Sequence, residues 1–498
     1  MTKNKRIVIC CLIFLAILFS FCCCGKKTDD MSGETVDGSN EDKFVPDSYG
    51  EINVFSDGTR YDGYDFIILA RGSYDNNDFS SSFSADKIEK AKYDRIEYIR
   101  EKYGANVVCD CYIEAVGAGD LGGGYQKLKV MYESKVASYD MALISTMDAA
   151  YAACGGYLAD LNSDAFSCFD FSRPWYDQNA VEALSIGKSL FYTSGDITLT
   201  DDYVTGCVLV NKDVIRQTAS MKDPYELVKE GVWTLDVFKT EVKAGSFDSD
   251  GIRGFGDNDR CGLLTFDNAV LFSFACSGAR VARMDSDKMI ELTLNEKRCE
   301  DAVRSYFELA FDDSFCFNYQ TLEYPYWDEV TFGMTQNARA AYYMTTFGRA
   351  LEYIGVSDSL GVLPMPKYDD ESSYAHYVSS YYGQMMCVPY YFQDGKRTSG
   401  IIEALSYDGK RFLGSSFYDK MTLRDGTYDG NSYNMMEIIF SSRVYDVGMV
   451  YGLGNYELRI SHLSKNTNGD FYEMYDQGKD KANERIKYIN DSLRRLVG

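Results

Sequence analysis

Asp65-Phe66-Ile67-Ile68-Leu69-Ala70 opens the folded part of the chain. The run is apolar and β-rich and shows no helical period, so it predicts a buried strand. Arg71-Gly72-Ser73-Tyr74 is the loop after it. Lys87 to Tyr103 sets Ile88, Ala91, Ile96 and Ile99 near a 3.6-residue spacing and stops at Gly104, which predicts a helix. Ala105 to Val116 reads as a second strand, Tyr125 to Ala137 as a second helix and Tyr139 to Ser145 as a third strand. Strand alternating with helix argues for an α/β protein with a parallel-rich sheet flanked by helices. Open sheets of this kind bind ligands at the carboxyl ends of their strands. Arg71 and Ser73 on one loop, and Thr146, Asp148 and Tyr151 on another, are therefore the first candidates for a ligand site.

Before this lies a different kind of sequence. Lys3, Lys5 and Arg6 precede an apolar run from Ile7 to Phe21, followed by Cys22, Cys23, Cys24 and Gly25. A run of about 15 residues is short of the roughly 20 that span a bilayer, and the layout is that of a secretory signal peptide. It resembles a bacterial lipoprotein signal. That likeness implies export, cleavage, and attachment of fatty-acyl (palmitate) chains that moor the protein on the outer face of the cell membrane. Cys24 is the expected acylated residue because Gly25 follows it. With Phe21 three residues before Cys24, Cys23 and Cys22 stay open, as does an uncut single-span anchor. Residues 25–60 are acidic and poor in aliphatic side chains, which predicts a disordered tether.

The 498 residues carry a formal charge of -24, with an isoelectric point near 4.6. Such acidity disfavours nucleic acid and anionic lipid as partners of the folded body. Beyond the tether the chain is too long for one compact core, so two lobes are expected. Tyrosine (41) and phenylalanine (29) are abundant and histidine (2) is scarce. Tyrosine's flat apolar face and polar tip suit polyhydroxylated ligands, although most such rings fill cores. Of 15 cysteines, those outside the leader are scattered, with no CxxC pair and no zinc-like spacing, and read as small buried hydrophobes. Unpaired thiols on an exported chain point to a reducing habitat. Gly117-Ala118-Gly119-Asp120-Leu121-Gly122 matches GxGxxG. The next strand, however, has its acid, Asp140, at the near end, with Ser145 and Thr146 at the far end, so the glycines read as a turn at the sheet rim.

The ordered blocks GGYLADLNS, FDFSRPWYDQ, GKSLFYTSGD, CVLVNKDVI, DPYELVKEGVWTLDVF, LGVLPMPKYD and IIEALSYDG resemble extracellular (family 1-like) solute-binding lipoproteins of ABC transporters. The likeness is to the carbohydrate branch that includes the maltose-binding protein, and it runs from about Asp65 to the C-terminus. It implies a two-lobed periplasmic-binding-protein-like fold (type 2), with a ligand cleft between lobes. It also implies a monomer that hands a sugar to permease subunits. The expected division is a signal peptide over 1–24, a tether over 25–60, lobe 1 over 61–195 plus 376–430, and lobe 2 over 205–370 plus 431–498. Crossings are expected at about Tyr192–Gly206, at about Asp370–Ser380 and near 430.

Sugars need planar donors and acceptors for hydroxyls and an aromatic platform for the ring face. Arg71 has a guanidinium fork for this, or a surface ion pair. Trp175 and Tyr176 are stacking candidates or lobe-junction packing. Trp233 precedes Thr234, an N-cap, and reads as structural. Trp327, Tyr381 and Tyr382 are further aromatic candidates. Phe347 and Arg349 correspond to a turn whose aromatic, in the maltose-binding relatives, is replaced here by Ala350. Asp248, Asp250 and Asp257 around Gly251 resemble an EF-hand-type loop and suggest a structural calcium ion, with an Asx-turn loop as the alternative; no other cofactor is expected. An enzyme is not expected. There is no GxSxG or HExxH, and His376 and His462 stand alone. Glycosidases need only two carboxylates, so a secreted lipoprotein hydrolase of polysaccharide is the alternative reading, and an adhesive surface protein a third.

Overall fold

The computed structural model describes residues 52–73, 77–79, 84–114, 120–252, 254–256, 258–323, 325–354, 359–424, 427–463 and 469–497. The expected signal peptide, its three cysteines and most of the expected tether lie outside them. Among the described residues no helix is long and apolar enough to cross a membrane.

Two five-stranded sheets form the frame. The first contains β1 (Asp65–Arg71), β2 (Asn106–Tyr112), β3 (Met141–Ser145) and β4 (Tyr192–Thr193). The second contains β5 (Gly206–Asn211), β6 (Cys261–Thr265), β7 (Cys316–Asn318), β8 (Ala340–Thr346) and β9 (Leu360–Leu363). After a crossing strand, β10 (His376–Tyr377), the chain returns to the first sheet as β11 (Gln384–Cys387). The orders are β2-β1-β3-β11-β4 and β9-β5-β8-β6-β7. β1 pairs in parallel with β2 and β3. β11 runs antiparallel between β3 and β4, and β5 runs antiparallel between β8 and β9. Each sheet thus holds one antiparallel strand delivered by a chain crossing from the other.

Local chemistry explains the elements. Helix α1 (Lys87–Tyr103) starts where the Asp86 carboxylate accepts the amides of Ile88 and Glu89, and it ends at Gly104 with φ of 77°. β3 is buried along its whole length, which explains its unbroken apolar sequence. One core lies under the first sheet, around Phe66, Ile99, Leu161 and Leu405. A second lies under the second sheet, around Leu209, Leu264, Tyr343 and Phe417. A third runs from Ile144 and Met147 through Phe272 to Tyr451 and Leu493, joining both lobes to the C-terminal helices.

Two expectations about boundaries need correction. Residues 52–60, placed in the tether by composition, lie against the first lobe. Phe55 is buried there, edge-on to Tyr61 and Tyr103. Ile52 and Val54 pack on the same core, and Arg60 donates to the carbonyls of Glu101 and Lys102. The C-terminal segment, assigned to the second lobe, touches both. Tyr488 stacks on Tyr151 of the first lobe at 6.4 Å, whereas Ser461 donates to Asn268 of the second at 2.6 Å.

The crossings meet in a small polar hub. β10 pairs in parallel with β12 (Arg443–Val444). Arg443 is buried among Asp177, Asp201 and Asp202, with Nη1 3.3 Å from Asp177 and 3.2 Å from Asp201. Its Nε donates to Thr205 Oγ1 at 3.1 Å. His376 is buried beside it. Its Nε2 accepts the Met365 amide at 3.0 Å, so Nδ1 carries the proton toward Ser442 Oγ at 2.8 Å. Burial and the Arg443 charge push the imidazole down to about 3. The unfolded chain takes up this proton near the ordinary 6.5 and the folded chain does not. His376 therefore contributes stability that is complete above that range and is lost as pH falls from about 6.5 toward about 3. Urea unfolding of wild type should show a component of about 1.4 kcal/mol per pH unit over that window. His376→Asn should lack it; identical pH slopes for the two proteins would refute the assignment.

Candidate functional site

Between the lobes lies a cavity of about 290 Å³, at the lower edge of the range for ligand pockets, about 300–1,000 Å³. The first lobe supplies Arg71 from the end of β1, Ser145 from the end of β3, and Glu114 and Asp120 beyond β2. The second supplies Asn268 and Leu271, just after β6. The return crossing supplies Ser379 to Tyr382, and the C-terminal segment supplies Asn455, Glu457 and Ser461. The site therefore sits at the carboxyl ends of strands from both sheets, where open α/β sheets carry their ligands.

Backbone contacts fix the wall made by the return crossing. Gly383 closes a turn on the Ser379 carbonyl at 2.8 Å. A Cβ at Gly383 would stand 2.6 Å from that oxygen, so the turn needs glycine. The Gly383 carbonyl accepts both the amide and the hydroxyl of Thr146, each at 3.2 Å. Arg71 Nη1 donates to the Tyr381 carbonyl at 2.7 Å, and its guanidinium lies 5.5 Å from the Tyr381 ring centre. Tyr381 and Tyr382 meet edge to face at 4.7 Å. Tyr382 is 57% exposed, an open ring at the cavity mouth.

The opposite wall rests on buried Asp148, which accepts the Gly122 amide at 2.7 Å. Burial raises its proton affinity, and the negative charge of Glu114 adds to this. Gly122 is thus a packing glycine; Gly117 and Gly119 lie outside the described residues. At the floor, Glu457 accepts the Tyr377 hydroxyl. Burial pushes this carboxyl up to about 7, the Tyr377 hydrogen bond pulls the other way, and Asp446 adds to the rise.

Of the residues singled out by sequence, Arg71, Tyr381 and Tyr382 line the cavity. Thr146 and Asp148 stand behind it as supports. Ser73 holds Asn77 through its carbonyl at 3.0 Å and is absent from the wall. Trp175 and Tyr176 are corrected: both are buried in the first-lobe core and donate to Glu403, Trp175 at 3.2 Å. Burial in turn pushes that carboxyl up to about 7. Neither ring has a face open to a ligand. Trp327 and Arg349 form a separate cluster on the second lobe. Trp327 stacks on Tyr319 at 5.1 Å, and Arg349 pairs with Asp328 and Glu352. Trp233 is buried and donates to the Pro364 carbonyl at 2.9 Å. Phe347 is buried against Phe440 and Phe417.

In the loop singled out for calcium, Asp248 and Asp250 come within 4.8 Å of Asp259; Asp257 lies outside the described residues. Asp259 already accepts the Ser249 amide and hydroxyl and the Gly256 amide, so the loop closes on itself. The ten cysteines of the described residues are free thiols. Sequence reasoning missed Glu114, Asn268, Ser379 and Glu457. Asn268 was within reach of the strand-end rule applied to the second sheet. Glu457 carried no signal, because only the path of the C-terminal segment brings it to the cleft.

No protein-family model and no curated protein matches the sequence. Solved structures do match. The sugar-binding protein MalE from Xanthomonas citri superposes with a TM-score of 0.55 at 11% identity, over 86% of this chain and 98% of that one. The galacto-N-biose/lacto-N-biose I-binding protein of the ABC transporter from Bifidobacterium longum does so with 0.54 at 12%, over 86% and 98%. The maltose/maltodextrin-binding domain MalE from Bdellovibrio bacteriovorus does so with 0.51 at 13%, over 85% and 100%. The chain has the two-lobed fold of these sugar-binding proteins. Within that binding-protein fold, the cavity described above is the interlobe cleft.

These placements separate two kinds of aromatic. Trp175→Ala should cost about 3–5 kcal/mol of stability, read by denaturant unfolding, and leave the affinity of the folded protein for its ligand intact. Tyr382→Ala should weaken binding with little change in melting temperature. The reverse pattern would return Trp175 to the site.

Proposed function

We propose that the chain is the extracellular substrate-binding component of an ABC transporter, a non-catalytic protein that captures a sugar or oligosaccharide and delivers it to the permease. The observation that carries this is a cavity walled by strand ends of both lobes and by a crossing segment, lined with two tyrosines, one guanidinium and many hydroxyl-seeking groups. Such a wall recognises a polyhydroxylated solute. The fold adds support, since the matched proteins named above include one in complex with lacto-N-biose and one bound to maltotriose. Binding draws the lobes together about the crossings, a ligand-driven shift from open to closed.

Isothermal titration against an oligosaccharide panel should give one saturable event, and X-ray scattering should show the particle contracting with the same ligand. Continuing heat with product release would favour a hydrolase. Failure of every saccharide to bind would remove the reading.

The N-terminal sequence supports a mature protein tethered on the outer face of the membrane, acylated on Cys24, or on Cys23 or Cys22; the fold of the matched binding proteins goes with a monomer. Mass spectrometry of the membrane-extracted protein should find a diacylglycerol-modified cysteine as its first residue. Cys24→Ser should release the protein into the medium if Cys24 is the modified residue. An unmodified N-terminus would refute the anchor.

A further inference from the structure

The charges around the cleft are lopsided. Glu114, Asp120 and Glu457 line the cavity against a single cation, Arg71, and among the described residues no lysine or histidine joins them. Arg71 already donates one N–H to the Tyr381 carbonyl. Glu114 takes the Gly123 amide at 3.2 Å, and Glu457 takes the Tyr377 hydroxyl. These donors are neutral, so they bring no positive charge to either carboxylate. Buried Asp148 stands directly behind this wall.

Closing the lobes takes these groups out of water. Desolvating carboxylates is costly unless a positive charge or several hydrogen bonds replace the solvent. A sugar hydroxyl replaces hydrogen bonds and leaves the charge in place. An ammonium group does both, whereas a carboxylate on the ligand adds repulsion. Resting on the sugar-binding reading above, we propose that the cleft selects a saccharide bearing a free amine, its ammonium received by the cavity carboxylates and its ring set against Tyr381 and Tyr382. Uronic-acid sugars are refused by the same charges.

The test compares matched ligands on the whole mature protein, solubilised from the membrane in detergent. Glucosamine, galactosamine and mannosamine, and their α- and β-linked oligomers, are titrated beside the neutral sugar and the uronic acid of the same configuration and length. At least one amine should bind about tenfold or more tightly than its neutral counterpart, with no binding of the uronate. Glu457→Gln and Asp120→Asn should each shrink that ratio; Asp120 is exposed at the rim, so its variant separates lost charge from lost folding, read by melting temperature. A neutral member that binds as well as or better than its amine, a uronate that binds best, or a ratio unmoved in both variants would overturn the inference and leave the sugar-binding reading standing. Absence of binding by every saccharide would remove that reading and this inference with it.

Discussion

A single buried guanidinium holds the crossings together. Arg443 lies with three carboxylates around it, one from the first lobe (Asp177) and two from the first crossing (Asp201 and Asp202). Phe440 lies under its face at 4.4 Å, and the Tyr445 hydroxyl shares Asp177 at 2.9 Å. Three carboxylates outnumber one cation in a dry site, so burial drives Asp201 well above the ordinary carboxylate range. A directional polar knot of this kind specifies how three separate strands of chain pass one another. An apolar contact at the same place would tolerate many relative positions. The three passes need one fixed position, because β5 and β11 must each enter the other lobe's sheet in register.

The cleft and this hub share an element. Tyr377 sits on β10, next to His376 and paired with β12, and its hydroxyl reaches Glu457 at the cleft floor. Glu457 itself belongs to α-helix Tyr456–Leu463, which is tied to the second lobe through Ser461 and Asn268. A ligand that touches Glu457 therefore touches a group bonded directly to the crossing strand. Only one side chain separates solute contact from the place where the lobes are joined, so no long relay is needed to couple binding to lobe movement.

The first lobe was largely legible in the sequence. β1, β3 and α1 carry periodicity and capping that mean one thing each: MALIS is buried on both faces, DFIILA is buried apart from exposed Asp65 and half-buried Ile67, and Asp86 and Gly104 mark the helix ends. The strand-end rule then located Arg71, and of the GxGxxG run Gly122 serves Asp148, while Gly117 and Gly119 lie outside the described residues. Legibility ended where position depends on non-local folding. Trp175 and Tyr176 have the composition of a stacking platform, yet Glu403, more than two hundred residues away, receives both and draws them into the core. Phe55 gave no local sign that Tyr61, Tyr103 and the helix carrying Gly400 would enclose it. Glu457 reaches the cleft only because the C-terminal segment crosses back over both lobes.

This division has a physical source. Aromatic side chains are selected by the core as strongly as by a ligand, so a tyrosine-rich composition predicts packing first and recognition second. Here the rings that do face the cleft are distinguished by the backbone that carries them. Tyr381 and Tyr382 project from a turn that Gly383 alone permits, clamped by two bonds from Thr146 and a third from Arg71. The ordering cost of that turn is met on folding, before any solute arrives, which leaves more of the binding free energy for the solute itself. The carboxylates opposite are held the same way, by the amides of Gly122 and Gly123. The cleft is thus a pre-set polar surface with two rings at its lip, and its selectivity lies in the charge of that surface more than in the number of its aromatics.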